Sequence, residues 1–82
     1  MTTAQNYLTD ALPELVARAR DAKAKAVAQP QTADAADLAF ERGRALAYYE
    51  VVSHLIGQLD AFGIERDEVG RDLRSDVDRD LL

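Results

Sequence analysis

The sequence predicts an all-α protein: a long antiparallel helical hairpin, then a short C-terminal helix or tail, with two hairpins pairing into a dimeric four-helix bundle. Three observations carry this. Apolar residues recur at alternating steps of four and three over most of the first 62 positions. Alanine and straight-chain Lys and Arg, all strong helix formers, dominate the composition between those positions. A single short break, Gln29-Pro30-Gln31-Thr32, divides the pattern, and a connection of that length makes its two helices antiparallel neighbours.

The first helix is expected over about 3–28. Leu8, Leu12, Leu15, Ala19, Ala22 and Ala26 form its seam. Pro13 interrupts it, because proline gives no N–H to the carbonyl of Thr9. The spacing therefore predicts a kinked or two-part helix. Pro30 disfavours helical geometry at Gln29 and ends the element. The second helix is expected over about 33–62, with Thr32 as N-cap and Asp34 in the first turn. Gly63 followed by Ile64 marks its C-terminus as a left-handed cap. These elements make residues 1–63 a helical hairpin. Residues 64–82 form an acidic C-terminal segment with a thin apolar thread, Ile64, Val69, Leu73, Val77 and Leu81. Gly70 argues against one unbroken helix there, and Ser75 is a candidate cap for a short one. The expectation is one or two short helices or turns, folded back on the pair or partly disordered.

Assembly is read from the second helix. At ~100° per residue, Leu38, Ala45, Tyr49, Val52, Ile56 and Leu59 share one stripe, and Phe40, Tyr48, Val51, Leu55 and Phe62 widen it. The opposite face, Ala39, Gly43, Ala47, Glu50, His54, Gly57 and Ala61, is mostly small. Small residues admit a close helix, so the alanines of the first helix are expected to pack there, Ala19 near Gly43 and Ala26 near Ala36. The tail can cover part of the large side chains on the other side through Ile64, Val69 and Leu73, but it is too polar to cover all of them. That leaves Tyr48, Tyr49, Val52, Leu55, Ile56, Leu59 and Phe62 as the interface of a homodimer. A chain of 82 residues has a core worth only about 3–5 kcal/mol without a staple. With no cysteine and one histidine, association is the staple that remains.

No chemistry-bearing motif emerges, so neither catalysis nor a cofactor is expected. Glu50 and His54 share a helix face, but their spacing of four departs from the Glu-x-x-His of carboxylate-bridged metal bundles. A structural pairing of the two is the simpler expectation, with a site shared across a dimer left open. Tyr48 and Tyr49 diverge by ~100°, which suits interface filling rather than ligand stacking. Asp76-Val77-Asp78-Arg79-Asp80 resembles the start of a calcium loop but lacks its glycine and closing glutamate. Arg42-Gly43-Arg44 falls inside a helix rather than in a phosphate-cradling loop.

The net charge is −5, and it is uneven: 4 basic and 3 acidic groups in residues 1–29, 2 and 5 in 30–63, 4 and 7 in 64–82. That balance disfavours nucleic acid. Arg18, Arg20, Lys23 and Lys25, the one basic cluster, fit the negative end of the first helix's dipole. No stretch approaches the ~20 apolar residues of a membrane span. Met1-Thr2-Thr3-Ala4-Gln5-Asn6 has neither the basic start nor the apolar run of a signal peptide, so a cytoplasmic location is expected. Two functions fit: a non-enzymatic homodimeric interaction module, adaptor or structural, or a small acidic inhibitor of immunity type that binds one larger protein target.

Overall fold

A computed structural model describes residues 2–70 and 77–82. Two long helices, α1 (Thr3–Val27) and α2 (Ala35–Ala61), pack as an antiparallel hairpin, and the C-terminal segment folds back on both through α3 (Arg66–Val69) and α4 (Val77–Leu81). The molecule is a rod of 49 × 19 × 17 Å.

Each boundary has a local cause. α1 opens on a capping box: the Thr2 hydroxyl accepts from the Gln5 amide at 3.1 Å, and the Gln5 side chain accepts from the Thr2 amide at 2.7 Å. The helix runs unbroken through Pro13. The two-part alternative is thus not adopted, because Leu12 and Val16, on either side of the proline, must both face the core. At its end, the Gln29 side chain donates to the Lys25 carbonyl at 3.2 Å. A turn closed by the Ala33 amide and the Pro30 carbonyl at 2.9 Å follows. Thr32 lies inside that turn, so the N-cap of α2 is Asp34, two residues later than the sequence suggested. Its carboxylate accepts from the Ala36 amide at 3.0 Å. The other end of α2 is as expected. Gly63 has φ 71°, its amide donates to the Asp60 carbonyl at 3.1 Å, and the Ile64 amide donates to the Leu59 carbonyl at 2.9 Å. This pair of bonds is the Schellman arrangement, which a residue with Cβ adopts only under strain.

The core is one cluster: Leu12, Val16 and Ala19 of α1, Val52, Ile56 and Leu59 of α2, and Val69 and Leu81 of the tail. Leu8, Leu15, Tyr48, Tyr49, Leu55 and Ile64 pack around it. The seam of α1 is therefore as expected, but its partner is not. The small face of α2 was expected to receive α1, yet Ala39, Gly43, Ala47, Gly57 and Ala61 are all exposed. A Cβ added to Gly43 or Gly57 would meet nothing within 4 Å. Burial is worth ~25 cal/mol per Å² of apolar surface, so the stripe with the larger side chains gains more by turning inward.

The tail folds back on the pair, as expected, and covers more of it than its polar composition suggested. Its contribution to the core is Val69 and Leu81, both buried. Two polar contacts hold α4 to α1: Lys23 Nζ donates to the Arg79 carbonyl at 3.4 Å, and Arg20 pairs with Asp80 at 3.8 Å. Leu73 and Ser75, expected in the apolar thread and as a cap, lie outside the described residues.

Two substitutions test this packing. Ile56→Ala should lower unfolding free energy by about 2–5 kcal/mol in denaturant titration, as loss of a well-packed aliphatic does. Gly43→Ala, at dilution where chains do not associate, should raise it by about 1 kcal/mol, because open helix surface rewards alanine over glycine.

Candidate interaction surface

The packing of α2 divides its circumference. Val52, Ile56 and Leu59 define the inner line, and half a turn away runs an outer line with the same heptad steps: Ala36, Phe40, Gly43, Ala47, Glu50, His54, Gly57 and Ala61. All eight are exposed. An outer helix face normally carries charge at most positions. This one carries Glu50 and His54 at its middle and no other ionisable side chain along its length. Large apolar side chains stand on it and beside it: Phe40, on the line, is 65% exposed, and Leu46 and Val51, at its margins, are 48% and 49%. Phe62, at the C-cap, is 79% exposed.

The seven residues expected at an interface separate accordingly. Val52, Ile56 and Leu59 are buried in the chain's own core. Tyr48, Tyr49 and Leu55 are half-buried against it. Phe62 alone of the seven stands out in solvent. The arc was expected to be only partly covered, with enough left open to form an interface; α1 and the tail instead shield all of it but Phe62 at least in part. The apolar surface left open lies on the far side of the same helix, where the sequence reading had docked α1. A half-open groove of about 170 Å³ beside Phe62, lined by Leu8, Leu12, Leu55, Leu59 and Ile64, marks where the shielding stops.

No protein-family model, curated protein or solved structure matches the chain. The reading of the site rests on its geometry.

The polar groups sort into local ties. Of the basic cluster, Arg18 pairs with Glu14 at 2.9 Å and Lys25 with Asp21 at 3.2 Å, each one turn apart on exposed helix. Arg20 and Lys23 reach α4 instead, so the four cations meet partners within the chain rather than only the helix dipole. Arg44 lies over the face of the Tyr48 ring, 5.3 Å from its centroid. Glu50 and His54 do not pair as expected. Among the described residues neither side chain takes a hydrogen bond or salt bridge, and no group of three or more His, Cys, Asp or Glu could hold a metal ion. No described helix is long and apolar enough to cross a membrane.

The turn after α2 is clamped by Asp60 and Arg66. Two contacts join them, Nη2 to Oδ2 at 2.8 Å and Nε to Oδ1 at 3.3 Å. Hydrogen bonding to the guanidinium holds the Asp60 carboxyl below its ordinary value of 3.8, with a smaller opposing push from desolvation. A depressed folded-state pKa stabilises the fold above the ordinary value, and that contribution disappears as pH falls through the folded value. NMR titration should place Asp60 below the other exposed aspartates, and Arg66→Gln should return it to their range.

Proposed function

We propose that this chain acts by association rather than by catalysis, as a small helical module that pairs with a second copy of itself through the outer face of α2. The observation that supports this most directly is the composition of that face: a heptad line of mostly small residues, with exposed Phe40 on it and exposed Leu46 and Val51 beside it, on a helix whose other side already holds the core. Contiguous apolar surface on so small a protein is a common mark of an interaction site. A second copy is the economical partner, because two-fold pairing makes one patch serve both sides. Pairing through this face sets α1 and α1 of the partner on the outside. It differs from the common-core four-helix bundle that the Val52 arc suggested.

Sedimentation equilibrium at tens of micromolar should give a dimer mass. Ala47→Lys, at the centre of the outer face and exposed, should shift it to monomer while leaving the helical circular dichroism signal intact. A wild-type chain that stays monomeric with a cooperative melt would overturn the reading.

The second reading is an acidic inhibitor of a basic protein target. It draws on the net charge of −5 and on Glu65, Asp67 and Glu68, all exposed around α3. Its signature is an association rate with a target that falls steeply as salt rises.

A further inference from the structure

We infer that the two copies pair antiparallel in one register, with Glu50 of each α2 against His54 of the other and the glycines and alanines on either side in close helix contact. The inference rests on the self-association proposed above and specifies its geometry.

Glu50 and His54 are the two polar residues of the outer line. They are neighbours on the outer line, exposed, and without a hydrogen-bond or ion-pair partner among the described residues. A parallel two-fold dimer sets equivalent positions opposite each other, so it would place Glu50 on Glu50 and His54 on His54. Two carboxylates would then meet in a desolvated seam, which is costly. An antiparallel dimer sets unlike positions opposite each other. With the two-fold axis midway between residues 50 and 54, Glu50 meets His54 twice, once on each side of the axis. The imidazole donates an N–H to the carboxylate whether it is neutral or charged. Sliding either chain by one heptad sets Glu50 or His54 against glycine or alanine and leaves both polar groups without a partner. Charge complementarity therefore selects one register from the family that the heptad line allows.

The flanking residues fit the same register. Ala47 falls opposite Gly57 of the partner, and Gly43 opposite Ala61 of the partner. Beyond the two central Glu50–His54 levels small residues face small residues, so the backbones there approach to the low end of the usual 8–10 Å separation. No side chain of the fold occupies that space, since Cβ atoms built on Gly43 and Gly57 point into open surroundings. At the outer ends, Phe40 of each copy reaches the end of the other α2, where the exposed Phe62 of the partner stands. The two large rings thus close the seam beyond the small residues.

The absence of cysteine makes the register measurable by disulfide trapping. Ala47→Cys and Gly57→Cys are prepared separately, at exposed positions that leave the core untouched. In the inferred register each cysteine lies about 15 Å along the axis from its own copy, beyond the ~7 Å reach of a disulfide. Each variant alone should therefore stay unlinked under mild oxidation, and a mixture of the two should link across. Linking of each variant alone would indicate parallel pairing and overturn the inference. No linking in a mixture that sediments as a dimer would place the contact elsewhere and overturn the register while leaving self-association standing. No linking with a monomer mass would remove both. A charge exchange gives an independent check. His54→Glu should weaken self-association by roughly 10- to 100-fold, and adding Glu50→Lys should restore it. Failure of the double variant to recover, with helical content unchanged, would count against the Glu50–His54 contact.

Discussion

Everything in this fold depends on one contact: Val52, Ile56 and Leu59 of α2 turned onto Leu12, Val16 and Ala19 of α1. Helix propensity keeps both elements helical, but propensity does not orient them. α2 has apolar residues on nearly every side, so which side faces inward is decided by how much surface each could remove from water. The larger side chains win. That choice fixes the rotation of α2 about its own axis, and with it the direction in which every other residue of the helix points. Phe40, Gly43, Ala47, Glu50 and His54 are outside because Val52 is inside.

The same contact sets what the tail can do. Once the two long helices are joined along that line, they leave an apolar furrow between them. Val69 and Leu81 fill it from short helices that would have no stability alone. Getting the chain into the furrow requires a sharp reversal after α2. Three local devices produce it: the left-handed Gly63, the doubled amide bonds to Leu59 and Asp60, and the Asp60–Arg66 clamp. The clamp is on the surface and contributes little energy, but its bidentate geometry fixes the direction in which the chain leaves the cap.

Much of this architecture could be read from the residues. Alternating steps of four and three located α1 to within a residue at each end, and Pro30 and Gly63 bounded the hairpin by known backbone preferences. The start of α2 was misplaced because Thr32 and Asp34 are both good caps. The carboxylate captured the Ala36 amide, while the threonine fell within a turn. The face of α2 was misread for a deeper reason. Periodicity identifies a helix but cannot orient one that is apolar all round, and small residues were credited with attracting α1 when bulk had more to gain. The tail was undervalued because its composition is polar on average, whereas two well-placed aliphatics suffice to seat it. The outer surface of α2 was visible in the sequence as a list of residues, but its exposure is a property of the packed chain.

The rod is also unequal along its length. Its buried side chains gather at positions 12–22 and 52–59, with Val69 and Leu81 laid over them. Towards the 28–34 connection, among the described residues, α1 and α2 have only each other, and Val27 is 76% exposed. Among the described residues one end is thus three segments thick and the other two. Local opening takes the cheapest route, so the thin end frays first while the thick end stays closed until the whole chain unfolds. Backbone amides of α2 should then exchange with solvent in a gradient, fast near Leu38 and slowest about Ile56. The hairpin tip behaves as the loose end of a clasp hinged at its base.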